Sequence, residues 1–173
     1  MTFSELDKNS MELAIKQAED SLSRMDFPVG AVLVIDGQVI GARRNRLHSE
    51  NNWVSHAEAR LIKKYSTDIK DAVKSRNSNI TVYTTLEPCL MCLGTCILNR
   101  VSRIVYACPD PYGGVANLDP RHLSEWYVRK WPKIEDGLLR EESYGLLTEF
   151  MKKKNDDTWR KIYSVFDEMH SKW

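Results

Sequence analysis

Strands alternating with helices predict an α/β layered domain. Three features carry that expectation: a long amphipathic segment near the start, a β-rich run at residues 80–85 followed closely by a helical segment, and another strand-like run at 103–107. Taken in order, Met11, Ile15, Ala18 and Leu22 recur at helical spacing and predict a helix over residues 4–24. Phe27-Pro28 ends it. The apolar run 29–35 and the run 38–42 flank Asp36-Gly37, and two strand-like runs about a DG dipeptide read as a hairpin. Residues 45–55 are polar and patternless, hence a loop. Ala57, Leu61 and Ile62 place 56–65 in helical register, with Ser55 as its N-cap. Residues 75–79 read as a turn. The run 80–85 is a strand, and 89–98 a helix that begins just after Pro88. Residues 103–107 form another strand. The stretch 109–120 is rich in Pro, Gly and Asp and reads as a long loop. Residues 136–153 are amphipathic through Leu138, Leu139, Leu146, Leu147 and Phe150. A final helix over 157–170 carries Trp159, Ile162, Val165, Phe166 and Met169.

A chain of 173 residues is the usual size of one domain and can bury a real core. Its 25 basic and 24 acidic residues leave a net charge of +1, so no global electrostatic argument favours nucleic acid. No apolar run approaches the roughly eighteen residues that a membrane span needs, and no charged-then-apolar leader precedes the first helix; neither a span nor a signal peptide is expected. Four cysteines in a chain of this length do not suggest a disulfide framework. A cytoplasmic, reducing setting follows, and it suits thiolate ligands.

The chemistry is carried by His56-Ala57-Glu58 and, thirty-three residues after the histidine, Pro88-Cys89-Leu90-Met91-Cys92. His56, Cys89 and Cys92 offer one imidazole and two thiolates to a metal. Cys89 and Cys92, at i and i+3, lie on one face of a helical turn, so both sulfurs can reach one ion. Three protein ligands leave Zn2+ one open position for water, which marks a catalytic site rather than a closed structural one. Glu58, two residues from the imidazole, is then the catalytic proton carrier. It would take a proton from that water, protonate the ring nitrogen of an amino-substituted base, and help the amine depart as ammonia. A redox CxxC would want a thioredoxin-like context, which is missing. A structural zinc site would want a fourth donor, for which Cys96 and Cys108 are the candidates.

This pair of motifs, H-x-E with a later P-C-x-x-C, resembles the signature of the zinc deaminases. The chain resembles the cytidine/deoxycytidylate deaminase superfamily, and within it the branch holding the bacterial tRNA adenosine deaminases and the small cytosine and guanine deaminases. Residues 28–34, Asn45 eleven residues before His56, Thr85-Leu86-Glu87, and residues 100–107 agree with it, over a stretch from about Leu6 to about Phe150. The resemblance implies a three-layer α/β/α fold with a mixed five-stranded sheet, zinc motifs at two helix N-termini, and an extra C-terminal helix. A helix N-terminus favours thiolate over thiol at Cys89 and Cys92. Residues 1–155 would form the zinc-dependent deaminase domain, and 156–173 a C-terminal helical extension packed on it. The resemblance also makes Asn45 a contact to the base edge, with the Ala57 backbone N–H and Glu87 as further substrate contacts. It makes Trp159 a lid over the base, by analogy with the aromatic C-terminal segment of small cytosine deaminases. It implies a homodimer.

Arg44, in the basic cluster 43–46, is placed at the mouth of the pocket, and Asp110 joins it there. Residues 133–150 resemble the C-terminal helix region of the tRNA enzymes. Two departures point elsewhere: Cys108-Pro109-Asp110-Pro111-Tyr112-Gly113-Gly114 replaces their single Asp followed by lysine and glycine, and the tail after Phe150 is longer and mixed in charge. An enzyme gripping an anticodon loop must neutralise phosphates. The expected substrate is therefore a small base or nucleoside of cytosine, guanine or adenine type. A tRNA wobble adenosine is the alternative, and a non-catalytic zinc-binding subunit a further one, which an intact Glu58 opposes.

Overall fold

The computed structural model describes residues 2–75 and 78–172. Helix α1 (Glu5–Ser23) opens on a capping box: Ser4 Oγ accepts from the Asp7 N–H, and the Asp7 carboxylate accepts from the Ser4 N–H. Strands β1 (Gly30–Ile35) and β2 (Gln38–Arg44) form the expected antiparallel hairpin. Asp36 and Gly37 both have positive φ, 50° and 81°, as a two-residue type I′ turn requires. Helices α2 (Ala57–Lys64) and α3 (Ser66–Lys74) follow, then β3 (Ile80–Leu86), α4 (Leu90–Leu98) and β4 (Arg103–Cys108). A short helix α5 (Glu125–Val128), the edge strand β5 (Lys133–Asp136), α6 (Arg140–Lys154) and α7 (Asp157–His170) complete the chain. The sheet order is β2-β1-β3-β4-β5; β1 is antiparallel to both neighbours, and β3, β4 and β5 are parallel. This is the mixed five-stranded sheet that the resemblance implied.

Every residue of β1 and β3 is buried, because helices cover both faces of the sheet. Strand alternation sorts the side chains. Ala31, Leu33, Ile35, Ile80, Val82 and Ile104 pack with Leu61 and Ile62 of α2 and Leu93 and Ile97 of α4. Val32, Val34, Tyr83 and Val105 meet Met11 and Ala14 of α1 on the opposite face. Helix α7 packs against α6 and buries Phe166 in the first of these clusters.

Four expectations need correction. Ser55 does not cap α2: its hydroxyl donates to Glu50 Oε2 at 2.7 Å, and His56, in extended backbone, takes the cap position. Residues 66–74 form a helix that periodicity did not signal, since Ile69 is its one buried side chain. The helix expected from 136 begins at Arg140. Asp136 instead closes β5, whose sequence Lys-Ile-Glu-Asp lacks an apolar strand signature because it lies at the sheet edge. Gly137 (φ 88°) and Leu139 (φ 55°) make the turn between them, the glycine without strain. Beyond the loop 109–120, residues to which no element was assigned hold α5. The turn expected at 75–79 lies partly outside the described residues.

The loop 45–55 is held by one buried carboxylate. Asp26 is fully buried, pairs with Arg44 Nη1 at 2.7 Å, and accepts from the N–H groups of His48 (2.9 Å) and Ser49 (2.8 Å). Burial pushes its carboxyl up, but the bonds from Ser49, Arg44 and His48 outweigh this and hold it below its ordinary value. Stabilisation from such a group is fully present above the unfolded pKa and is lost as pH falls through the folded one. Asp26→Asn is expected to cost about 3 kcal/mol at pH 7. Denaturant titrations should show the gap to the native protein narrowing below about pH 4; a gap that is constant from pH 7 to pH 3 contradicts this assignment.

Candidate active site and metal centre

Two helix N-termini converge at the C-terminal end of β3. His56 caps α2 and Cys89 caps α4, both in extended backbone. Cys92 follows one turn inside α4. The His56 Nδ1 atom lies 3.6 Å from Cys89 Sγ and 3.6 Å from Cys92 Sγ, and the three donor atoms all fall within 4.8 Å of one another. A tetrahedral ion with Zn–S near 2.3 Å and Zn–N near 2.0–2.1 Å spaces nitrogen and sulfur about 3.6 Å apart. The donor set and its edges therefore fit zinc. Cys96 is buried among core residues and Cys108 bonds the Pro109 carbonyl, so the described residues bring no fourth side chain into the group. The cluster is that of an open site.

Without a metal the two sulfurs share one proton. The bond from Cys92, joined by His56 against the effect of burial, pulls the Cys89 thiol down to about 4. Cys92 is pushed up by its bond to that sulfur and by burial. The Cys89 sulfur likewise raises His56. A coordinated dication favours both sulfurs as thiolates.

Glu58, in the first turn of α2, is only 4% exposed, and burial pushes its carboxyl up. Its two oxygens face different groups. Oε1 accepts from Thr84 Oγ1 at 3.0 Å, while Oε2 lies 3.5 Å from Cys92 Sγ. The carboxyl thus stands beside the metal donors with one oxygen turned toward them.

A cavity of about 280 Å³ opens onto this centre. His56, Ala57, Glu58, Cys89, Asn45, Glu87, Asp110 and Trp159 all line it. Asn45 is buried; it donates one amide hydrogen to the Phe27 carbonyl and accepts from the Leu47 N–H, which leaves a second donor for a ligand. The Glu87 carboxylate is taken up otherwise. It accepts from the N–H groups of Asp110 (3.0 Å) and Ala116 (2.7 Å) and so ties down the loop after β4. Gly114 lets that loop pass: a Cβ there would stand 2.3 Å from the Glu87 carboxyl. Asp110 is largely buried, which pushes its carboxyl up. Trp159 packs edge-on against Phe150 and tilted against Phe27, which anchors α7 at the cavity wall.

Arg44 is not at the mouth. Its guanidinium is buried between Asp20 (2.9 Å) and Asp26, and it lines a separate groove of about 1080 Å³. A buried cation needs partners, and both carboxylates lie on the α1 side. Phe27, His48 and Thr84 were missed. Phe27 read as a helix end and His48 as loop, while Thr84 sat unremarked in a β-rich run.

The model of the cytidine and deoxycytidylate deaminase zinc-binding region matches residues 4–108. The chain belongs to this deaminase family. The tRNA-specific adenosine deaminase of Bacillus subtilis (strain 168) is 34% identical over 150 residues, covering 84% of this chain and 89% of that protein. The enzyme of the same description from Agrobacterium fabrum is 34% identical over 147 residues, covering 85% and 95%. A solved tRNA:A34 deaminase superposes with a TM-score of 0.64 at 32% identity, over 80% of this chain and 99% of its own. Guanine deaminase from Nitrosomonas europaea, at 19% identity and a TM-score of 0.63 over 83% of each chain, shares the fold. The deaminase is thus a zinc-dependent hydrolase acting on an amino-substituted base, and zinc is its metal.

Metal analysis of this deaminase is expected to give one zinc per chain. His56→Ala and Cys92→Ser should lose it, whereas Cys96→Ser and Cys108→Ser should keep it in full. Zinc loss from Cys96→Ser or Cys108→Ser would show a closed site instead.

Proposed function

We propose that this deaminase acts on a free nucleobase or nucleoside, releasing ammonia. The observation that carries the reading is the aromatic wall that α7 adds to the cavity. At about 280 Å³ the cavity lies just below the usual range of ligand pockets and fits one heterocycle, free or flipped out of a polymer, so the wall and not the volume favours the smaller substrate. Helix α7 brings Trp159 to its wall, and Phe27, Val29 and Leu86 supply further apolar surface.

His56, Cys89 and Cys92 would hold the zinc. When bound, zinc lowers the pKa of its water to about 7 and stabilises developing negative charge. Glu58 moves the protons. Burial favours its protonated form, so the carboxyl readily takes a proton on Oε2, the oxygen that faces the donors, and gives it to the ring nitrogen of the base. The same group then takes the second proton, from the water-derived hydroxyl now bonded to the base carbon, and delivers it to the amine, which departs as ammonia. The free amide hydrogen of Asn45 and the Ala57 N–H, unpaired within the first turn of α2, would hold the base edge. Trp159 would cover the ring face.

A second reading, deamination of a tRNA wobble adenosine, is favoured by the curated relatives described above and by the groove behind the loop 45–55. Arg43, Arg46, Arg60, Lys63 and Lys64 line that groove, and phosphates are what such a lining attracts. The smaller substrate is preferred because α7 stands at the pocket wall. The reading retains a cytoplasmic setting, supported by four unpaired cysteines and by the absence of any described helix apolar enough to cross a membrane. It retains a homodimer as well. Helix α7 spends Ile162, Phe166 and Met169 on the core, and the most exposed large apolar side chains among the described residues are Leu90 and Leu98 of α4 with Trp53, Val54 and Tyr112.

The test is a panel of adenine, cytosine, guanine, their nucleosides and an unmodified tRNA with an ACG anticodon, read by ammonia release and mass change. Turnover of a free base or nucleoside supports the proposal; inosine formed only in the tRNA overturns it in favour of the second reading. Glu58→Gln should keep zinc and lose turnover by several orders of magnitude. Trp159→Ala should raise KM about tenfold with kcat little changed, as loss of an aromatic wall predicts.

A further inference from the structure

We infer that Thr84 is a positioning residue that fixes the orientation of the Glu58 carboxyl through its hydroxyl. The inference rests on the proton-carrying role proposed for Glu58. On the face of β3 that meets α2 and α4, Ile80, Val82, Thr84 and Leu86 alternate, and Thr84 is the polar member of an otherwise apolar row. Its side chain is fully buried, with 0% exposure. A buried hydroxyl is costly unless bonded, and the partner found for this one is Glu58 Oε1, at 3.0 Å. Thr81, Tyr83 and Thr85 alternate onto the opposite face, where Thr85 Oγ1 accepts from the Gly30 N–H and the Tyr83 hydroxyl donates to Asp7.

The consequence is an inequality between two otherwise equivalent oxygens. The terminal torsion of a glutamate is broad and roughly two-fold, so packing alone defines it poorly. The Thr84 hydroxyl occupies Oε1 and leaves Oε2, the oxygen nearer the metal donors, as the one that loads and unloads the proton. Serine would preserve this bond. Valine, with nearly the same shape, would fill the site and remove it.

The experiment compares Thr84→Val and Thr84→Ser with the native enzyme, using the panel compound that the native enzyme turns over fastest. Thr84→Val is expected to lower kcat about 10- to 100-fold, the usual effect of removing a partner that orients an active-site group. KM should stay within about twofold, and zinc should remain at one per chain. Thr84→Ser should recover most of the lost kcat. Three results overturn the inference: unchanged kcat in Thr84→Val, loss of zinc from that variant, or a Thr84→Ser enzyme as slow as the valine variant. Glu58→Gln run alongside separates the two proposals. If it stays active, the role of Glu58 itself fails; if it is inactive while Thr84→Val is normal, only the role of Thr84 fails.

Discussion

The organising constraint of this molecule is that three donor atoms, from segments thirty-three residues apart, must meet within one coordination sphere. A flexible loop would hold an imidazole and two sulfurs within 4.8 Å of one another only at a large entropic cost. Here each donor sits at the start of a helix, and both helices pack on the same face of the sheet. The sheet is rigid because both its faces are covered. The helix N-termini add their own partial positive charge, which favours the anionic donors before any metal arrives. Position and protonation state thus come from the same architectural choice.

Holding the centre also means fixing what surrounds it. On one side, Asp26 grips the start of the loop 45–55 through Arg44, His48 and Ser49. That places Asn45 at the cavity wall. On the other side, Glu87 grips the loop after β4 through the Asp110 and Ala116 N–H groups. That places Asp110. Two buried carboxylates set the two rims of the pocket.

Much of this was legible in the sequence, and unevenly so. The metal donors could be read because coordination restricts residue type and spacing together, and the fold places the Glu58 carboxyl beside them. The hairpin was legible because Asp36-Gly37 accepts two positive φ values. The final helix was legible from its apolar spacing. Strand β5 was not, since an edge strand of Lys, Ile, Glu and Asp buries too little to leave a pattern. Helix α3 was lost for the same reason. Arg44 was misplaced because basic residues adjacent in sequence were read as one cluster. Strand geometry and two distant aspartates turned this one inward. Phe27 and Thr84 carry no signature of their own; their roles arise only when the tertiary fold brings α7 and α2 over them.

Substrate choice lies in the parts of the chain least constrained by the metal. A zinc centre with a neighbouring carboxyl hydrolyses any amidine that reaches it in the right orientation, so it cannot by itself discriminate a free base from a nucleotide in a polymer. Discrimination falls to the walls. Trp159 comes from α7, joined to α6 through Asn155 in a left-handed conformation, and it closes a face of the cavity with Phe27 and Phe150 behind it. Trp53, 83% exposed, stands at the rim without such support. A wall built from packed aromatics rejects a substrate by shape, whereas an unsupported one adapts to it. The cavity wall is therefore held by packed aromatics at Trp159, while Trp53 lines it as an exposed ring.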